Sequence, residues 1–92
     1  MVVVINDDRV TDVEAYVPVA KGFAEDSVKN EEGCISMEVV VDPKVEGRVL
    51  YVSHFESEEA FRKSTQGEVF RKWLPELSKY FVSAEDHVFE VR

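Results

Sequence analysis

Two segments of this sequence, residues 34–41 and 48–55, have apolar side chains at both odd and even positions. In an antiparallel sheet with one hydrated face, apolar and polar residues alternate, because successive side chains point to opposite faces. The two segments therefore predict strands of a sheet that is covered on both faces. The apolar residues are Val49, Leu50, Tyr51, Val52 and Phe55 in the later segment, and Cys34, Ile35, Met37, Val39, Val40 and Val41 in the earlier one.

The residues before these segments predict a strand followed by a helix. The apolar run at residues 2–5 predicts the strand, and apolar residues then recur at helical spacing. Either Thr11 or Asp12 is expected to cap the helix. Pro18 interrupts the helical pattern and lacks an amide donor, so we expect a kink there or a helix that begins only at Val17.

The residues after these segments predict two helical stretches and a last strand. Gly67 separates the two stretches, Pro75 is expected to kink or divide the second, and residues 87–92 read as a strand. The order strand, helix, strand, strand, helices, strand is typical of an α+β ferredoxin-like sandwich with an antiparallel sheet. The 92 residues contain no repeat and no Gly/Ser linker, so we expect one domain over residues 1–92.

The two-sided apolar pattern also predicts a partner. Helices connected in this order cover one face of the sheet only, and the simplest cover for the other face is a second copy of the chain. The sequence therefore predicts a homodimer that forms through its sheet faces. The alternative is that central strands are simply more apolar than edge strands.

Charge and cysteine content limit the partners and the compartment. Asp and Glu outnumber Lys and Arg by 19 to 11, which gives a net charge of −8. Nucleic acids and anionic membranes attract positive surfaces, so we expect neither as a partner. No apolar run approaches the roughly 18 residues of a membrane span. The single cysteine, Cys34, cannot form an intramolecular disulfide, and we expect a cytoplasmic protein.

Four short motifs occur in a fixed order along the chain. They are Glu-Gly-Cys-Ile at 32–35, Val-Leu-Tyr at 49–51, Phe-Glu-Ser-Glu-Glu-Ala-Phe at 55–61, and Phe70. In this order and spacing the sequence resembles the antibiotic biosynthesis monooxygenase (ABM) domains. The resemblance implies a dimeric α+β barrel, in agreement with the two-sided pattern. The activities of such domains are mixed: some oxidise quinols or polyphenols by O₂ without a metal or flavin, others degrade haem, and many are uncharacterised.

The sequence departs from the family pattern at several positions. Ser64 and Val69 stand where the family often has His, Ser53 where it often has Glu, and Met37 where it often has Tyr. Asn6 matches an Asn in the first strand of haem-degrading relatives, but Leu74 replaces their axial His. Without that iron ligand, haem degradation is not expected, and we expect no cofactor.

His54 and Asn6 are the candidate catalytic residues. A histidine titrates near neutral pH, so His54 could take the proton of a phenol before the phenol anion reduces O₂. Its alternative role is a hydrogen bond across the dimer seam. Asn6 ends an apolar run and could orient a substrate oxygen or stabilise negative charge. Its alternative role is a turn with the aspartates that follow it.

Aromatic side chains are the candidate substrate contacts. Tyr51 and Trp73 combine a large apolar ring with a polar tip, which suits a pocket wall. Phe23, Phe61 and Phe70 are expected to face the sheet, as core residues or as the lining of a cavity. Cys34 has no base near it in the sequence and is expected to be a small hydrophobe. Two scattered histidines and no cysteine pair predict no metal site.

The sequence thus leads to a functional hypothesis and an alternative. We expect a cofactor-independent monooxygenase that uses O₂ to oxidise a small aromatic substrate, a quinol or a polyphenol. The alternative is a non-catalytic dimer on the same scaffold that binds a small molecule or has a stress-related role, since a fold does not determine a function.

Overall fold

A computed structural model describes residues 1–92 and contains four strands and three helices. In chain order the elements are β1 (Val2–Val10), α1 (Val13–Asn30), β2 (Cys34–Val41), β3 (Arg48–Phe55), α2 (Glu58–Ser64), α3 (Glu68–Ser78) and β4 (Phe81–Glu90). All strand pairs are antiparallel, in the sheet order β2-β3-β1-β4. This is the ferredoxin-like α+β arrangement, so the predicted fold class is confirmed.

Helix α1 begins directly after a side-chain cap. The carboxylate of Asp12 accepts a hydrogen bond from the backbone amide of Ala15 at 3.1 Å. This bond satisfies one of the amides that a helix leaves without a partner in its first turn. Of the two expected capping residues, Asp12 is therefore the one that caps the helix, and Thr11 lies outside it.

Pro18 lies inside α1, so the expected late start of the helix at Val17 is wrong. A proline inside a helix removes one amide donor and crowds the preceding turn. Burial of one side of the helix outweighs this loss, since tertiary packing supplies most helix stability in proteins. The buried residues on that side are Tyr16, Ala20, Ala24 and Ser27.

The second half of the chain differs from expectation in its last strand. Gly67 separates α2 from α3 as predicted, and α3 continues past Pro75 to Ser78 without division. Strand β4 begins at Phe81 and not near residue 87, because its backbone pairs with β1 from Glu90 opposite Val2 down to Phe81. None of the three helices is both long and apolar enough to cross a membrane.

The core lies between the helices and one face of the sheet, which we call the inner face. Two buried clusters occupy it. One joins the start of α1 to the middle of β3 and contains Val10, Tyr16, Ala20, Val49, Tyr51 and Leu77. The other lies at the opposite end of the sheet and contains Val2, Val4, Cys34, Phe55 and Phe61.

The opposite, open face of the sheet has no element of this chain over it. Strand register places Val3 beside His54 and Ile5 beside Val52 on this face. Phe89 is 52% exposed there, and Val40 is 39% exposed. The apolar residues of the open face are Val3, Ile5, Val40, Leu50, Val52 and Phe89. Both faces of the sheet therefore carry apolar side chains, as the alternation pattern indicated.

Candidate functional site

A cavity of about 340 Å³ lies between the helices and the inner face of the sheet. Its volume falls near the lower end of the range of ligand pockets, roughly 300–1,000 Å³. Residues of all four strands form its floor, and residues of α1, α2 and α3 form its walls. It opens between α3 and β4, where its lining residues are exposed: Leu74, Ser78, Phe81, Ala84 and Asp86.

Aromatic rings make up much of the cavity wall. Phe23 on α1 contacts Tyr51 on β3 and Phe70 on α3 edge to face, with ring centroids 5.9 Å and 6.0 Å apart. Phe55 and Phe61 meet in the same way at 5.5 Å. Edge-to-face pairs hold the ring orientations, because the positive edge of one ring meets the negative face of the other. The wall is therefore largely apolar and aromatic.

The polar floor of the cavity comes from the alternation of β1. Val2 and Val4 point inward, so Asn6 and Asp8 also point inward and line the cavity. The side-chain amide of Asn6 donates a hydrogen bond to Oδ1 of Asp86 on β4 at 2.6 Å. Because Asp86 holds one N–H of this amide, the amide oxygen and the second N–H of Asn6 remain available to a ligand.

Asp8 is the most buried carboxylate of the cavity, with only 8% of its surface exposed. The hydroxyl of Tyr16 lies 3.5 Å from its Oδ2 atom, at the long limit of a hydrogen bond. Burial raises the pKa of Asp8 to about 6, and the negative charge of Asp86 adds to the effect. A carboxyl group with this pKa changes its charge close to neutral pH.

Two tyrosine hydroxyls continue from Asp8 into the core. The hydroxyls of Tyr16 and Tyr51 are 2.5 Å apart. Burial raises the pKa of Tyr16 to about 12 and raises the pKa of Tyr51 well above its ordinary value, so both keep their protons at neutral pH. The hydroxyl of Tyr51 can therefore donate to Tyr16 while that of Tyr16 donates to Asp8.

The charged side chains that line the cavity are all acidic. They are Asp8, Glu31 and Asp86, and the lining contains no lysine, arginine or histidine. A ligand in this cavity meets hydrogen-bond acceptors and negative charge at its polar end and meets no cation. The lining therefore favours a ligand that is neutral and donates hydrogen bonds, and it disfavours one that carries a carboxylate or phosphate.

Five of the seven predicted site residues line this cavity. They are Asn6, Phe23, Tyr51, Phe61 and Phe70. Their side chains come from β1, α1, β3, α2 and α3, so the fold gathers positions that lie up to 64 residues apart in the chain. The remaining two, His54 and Trp73, lie elsewhere.

His54 lies on the open face, which corrects its expected position in the cavity. Its Nδ1 atom is 3.1 Å from the Ser36 hydroxyl on β2. Its neighbours Ser53 and Phe55 point inward, and a one-residue step along a strand moves a side chain to the other face. Within one chain, His54 and the cavity are thus separated by the sheet.

Trp73 packs between helices and does not line the cavity, which corrects its expected position as well. Its indole N–H donates to Asp26 Oδ2 on α1 at 2.8 Å. The indole also lies against Gly22, where an added Cβ would come within 2.5 Å of the ring. Hydrogen bonds, above all the one from Trp73, lower the pKa of Asp26 to about 2. Trp73 thus holds α3 against α1 through its hydrogen bond and its packing on Gly22.

Asp8, Tyr16 and Asp86 line the cavity but were not among the site residues predicted from the sequence. Asp8 shares the parity of Val2, Val4 and Val10, and this alternation could have placed it on the inner face. Tyr16 belongs to the apolar side of α1, and its helical spacing indicates packing only. Asp86 could not be found in this way, because β4 was expected to begin after it.

The structure also shows the state of Cys34 and whether acidic, histidine and cysteine side chains are grouped for a metal ion. Cys34 is free and buried, and burial together with Glu31 raises the pKa of its thiol to about 11. The thiol is therefore protonated at neutral pH and lacks the reactivity of a thiolate. No group of three or more His, Cys, Asp or Glu side chains is arranged to hold a metal ion.

Comparison with protein-family models decides the relationship that the motifs suggested. The model described as "Antibiotic biosynthesis monooxygenase" matches residues 1–76, which include β1 and most of the cavity lining. The chain belongs to the antibiotic biosynthesis monooxygenase family. No curated protein sequence matches it.

Several solved structures share the fold over nearly the whole chain. SnoaB, a cofactor-independent oxygenase from Streptomyces nogalater, matches with a TM-score of 0.82 and 15% identity, over 99% of this chain and 92% of that one. An antibiotic biosynthesis monooxygenase candidate from Caulobacter crescentus CB15 matches with a TM-score of 0.87 and 14% identity, over 99% and 89%. A conserved protein from Methanosarcina mazei Go1 matches with a TM-score of 0.82 and 18% identity, over 99% and 92%. At these identities the likeness shows the fold.

Membership in the ABM family gives the chain a monooxygenase-type scaffold. Several positions at which the sequence departs from the family pattern lie around the same cavity. Met37, Ser64, Val69 and Leu74 line it. Ser53 is fully buried, and its hydroxyl lies 3.4 Å from the Val4 carbonyl oxygen. The polar groups that line the cavity beside these positions include Asn6, Asp8, Tyr16, Tyr51 and Asp86.

Proposed function

We propose that this chain is a monooxygenase that uses O₂, without a metal or flavin, to oxidise a planar and electron-rich aromatic molecule such as a quinol or a polyphenol. The observation that carries the proposal is the cavity on the ABM scaffold, which combines an aromatic wall with a floor of hydrogen-bond acceptors. A flat ring fits the wall, and phenolic hydroxyls donate hydrogen bonds to the floor.

The reaction requires the substrate to lose a proton before it meets O₂. A phenol anion gives one electron to O₂, and the superoxide formed then adds to the ring carbon to make a peroxide. Loss of water from the peroxide leaves a quinone. For a phenol with a free para carbon, one oxygen atom of O₂ becomes the new carbonyl oxygen. The other leaves as water with the hydrogens of the hydroxyl and the ring carbon.

Asn6 is the residue that we propose holds a substrate oxygen. Its amide faces the cavity, and Asp86 fixes its orientation through the 2.6 Å hydrogen bond. A fixed N–H group stabilises an oxygen that gains negative charge as the proton leaves, because the donor needs no reorganisation during the reaction. Phe23, Tyr51, Phe61 and Phe70 are the proposed contacts of the aromatic ring.

We also propose that a second copy of the chain covers the open face. That face carries apolar side chains from all four strands, and no element of this chain covers them. Two sheets of the same sequence bury matching patches when they meet about a twofold axis. His54 and Ser36 then lie at the seam between the copies, which supports the hydrogen-bonding alternative for the histidine.

The single free thiol, Cys34, supports a reducing compartment such as the cytoplasm.

Oxygen uptake tests the proposed activity. The purified protein is incubated with neutral naphthoquinols and polyphenols in an oxygen electrode, and with sulfonated analogues that carry a fixed negative charge. We expect uptake well above the uncatalysed rate with at least one neutral substrate, and little with its sulfonated analogue, because the cavity lining holds three carboxylates and no cation.

A cavity-blocking variant ties the activity to this site. Ala84→Phe places a ring at the exposed mouth of the cavity and should abolish uptake. Asn30→Phe adds a ring at the exposed end of α1, outside the lining, and should leave uptake unchanged. Substrate binding without uptake above the uncatalysed rate would contradict the proposal and favour the non-catalytic binding protein. One observation favours the non-catalytic binding protein: Ser64 and Val69 line the cavity where the family often has histidines.

A further inference from the structure

The proposed reaction needs a base inside the cavity, and the base expected from the sequence is on the wrong side of the sheet. His54 faces away from the cavity. The cavity lining contains no histidine and no lysine, so a base inside the cavity must be a carboxylate or a phenol. Tyr16 and Tyr51 keep their protons at neutral pH, which leaves the three carboxylates.

Among the three carboxylates, Asp8 alone is buried in the floor. Glu31 is half-buried at the end of α1, and Asp86 is exposed at the mouth and already accepts the hydrogen bond of Asn6. The Oδ2 atom of Asp8 faces the Tyr16 hydroxyl at 3.5 Å, whereas its Oδ1 atom accepts no hydrogen bond from the protein. Oδ1 of Asp8 is thus a free acceptor at the polar end of an aromatic cavity.

The groups that face Asp8 explain why it can act near neutral pH. On β4, Asp86 contributes a negative charge, and on α1, Tyr16 offers a hydroxyl. On β1 itself, the negative charge of Asp7, which lies on the other face of the strand, raises the pKa of Asp8 by a smaller amount. Burial together with these like charges raises the pKa of Asp8 to about 6, close to the value that favours a general base at neutral pH.

We propose that Asp8 is the general base of the monooxygenase reaction and that its Oδ1 atom takes the proton of the substrate hydroxyl. The proposal rests on the proposed function. In this step the substrate O–H bond breaks, its electron pair stays on the substrate oxygen, and a new O–H bond forms on Asp8. Asn6, two residues away on the same face of β1, then faces the phenolate oxygen or the second oxygen of the ring.

The first test is the pH profile of the unmodified protein. The carboxylate is the active form of Asp8, so kcat/KM should rise tenfold per pH unit below about pH 6 and level off above it. A profile that stays flat between pH 5 and pH 8 would overturn the proposal, while oxygen uptake in the same assay would leave the proposed function standing.

The second test is the isosteric variant Asp8→Asn, with Glu25→Gln as a control that removes one negative charge at an exposed position of α1. We expect Asp8→Asn to lower kcat/KM about 100-fold or more, which is typical of a lost general base. The control should keep the unmodified rate. Thermal unfolding of both variants verifies that they are folded.

Substrates of different acidity separate a base from a structural residue. A halogenated phenol that is already ionised at the assay pH needs no base. Both proteins should bind this anion weakly, and Asp8→Asn should oxidise it at least as fast as the unmodified protein, because the variant lacks one of the carboxylates that repel it. An equal loss with ionised and neutral phenols would overturn the proposal, as would an Asp8→Asn variant of full activity. If the unmodified protein consumes no O₂ with any substrate, the proposed function fails and the role of Asp8 fails with it.

Discussion

At the level of single residues, the polar end of the cavity is a chain of three groups: the carboxylate of Asp8 and the hydroxyls of Tyr16 and Tyr51. The middle group serves both of its neighbours, since it donates to the carboxylate and accepts from the second hydroxyl. Its removal therefore leaves two buried polar groups with fewer partners, and a buried group without a partner is costly.

This arrangement predicts the effect of Tyr16→Phe on stability. The variant should unfold more easily by about 1–3 kcal/mol, because the Tyr51 hydroxyl loses its partner inside the core. Urea denaturation measures the difference. Tyr80→Phe is the control: its ring also contacts Tyr16, but its hydroxyl makes no hydrogen bond, and its stability should change by less than about 0.5 kcal/mol. Equal effects of the two substitutions would contradict the role of the hydroxyl chain.

A buried carboxylate also makes stability depend on pH. The pKa of Asp8 is about 6 in the folded chain, against an ordinary value of 3.8. The folded state therefore binds the proton more tightly than the unfolded state, and the charged form opposes folding. Stability should be lost as pH rises from about 4 to about 6, and the full loss of about 3 kcal/mol should persist above pH 6.

Asp8→Asn should remove this loss and be more stable than the unmodified protein at pH 7. The difference should shrink towards zero as the pH falls below about 4, where Asp8 becomes protonated in the unfolded state as well as in the folded one. Denaturation of the two proteins at several pH values isolates Asp8, because the other carboxylates, among them Asp7, Asp26 and Asp42 with their lowered pKa values, are common to both proteins and cancel in the difference. A variant that is less stable at every pH would show that the charge of Asp8 is better compensated than burial indicates.

At the level of elements, β1 serves both faces of the sheet. Its even positions, Asn6 and Asp8 among them, supply the cavity floor, and its odd positions, Val3 and Ile5 among them, supply the open face. Helix α1 then brings Tyr16 over this floor. The start of α1 therefore matters to the site as well as to the fold.

The Asp12 cap can be tested against its neighbour. Asp12→Ala should destabilise the protein by about 1 kcal/mol, because the Ala15 amide loses its acceptor in the first turn of α1. Thr11→Ala changes an exposed side chain that caps nothing, and it should alter stability by less than about 0.5 kcal/mol. Chemical denaturation measures both, and a larger effect at Thr11 would mean that the helix is capped one residue earlier.

The elements could be predicted from sequence where local signals agree with packing. The strand β3 and the break at Gly67 follow from apolar runs and turn residues. The start of β4 could not be predicted, because Tyr80 and Phe81 continue the apolar spacing of α3 while the chain has already left the helix. The late start of α1 was predicted because Pro18 carries a local helix penalty. Burial of one side of α1 overrides that penalty, and the helix begins at Val13.

The sequence predicted which residue types the site contains better than it predicted where each residue lies. The phenylalanines and Tyr51 follow from the apolar spacing. The side of the sheet that His54 occupies does not, because β3 is apolar in both phases and its alternation gives no absolute direction. The pairing of Asn6 with Asp86 joins residues 80 positions apart, and no local pattern indicates it.

At the level of the whole molecule, the open face predicts association. The unmodified protein should elute with about twice its chain mass of 10.5 kDa. Val52→Lys puts a charge in the middle of the open face and should give a monomer, because a buried ammonium without a partner is costly. Val28→Lys makes the same change on an exposed position of α1 and should stay dimeric. Light scattering after size exclusion decides, and a monomeric parent protein at micromolar concentration contradicts the dimer.

The origin of the new oxygen atom in the product shows whether the chain is a monooxygenase. The protein is incubated with ¹⁸O₂ and a neutral phenol that has a free para carbon, and the product is analysed before its carbonyl oxygens exchange with water. We expect one ¹⁸O atom in each quinone and one O₂ consumed per turnover, and we expect the Ala84→Phe variant to be inactive. Quinone without ¹⁸O, or no O₂ consumption above the protein-free rate with any neutral phenol, would contradict this expectation.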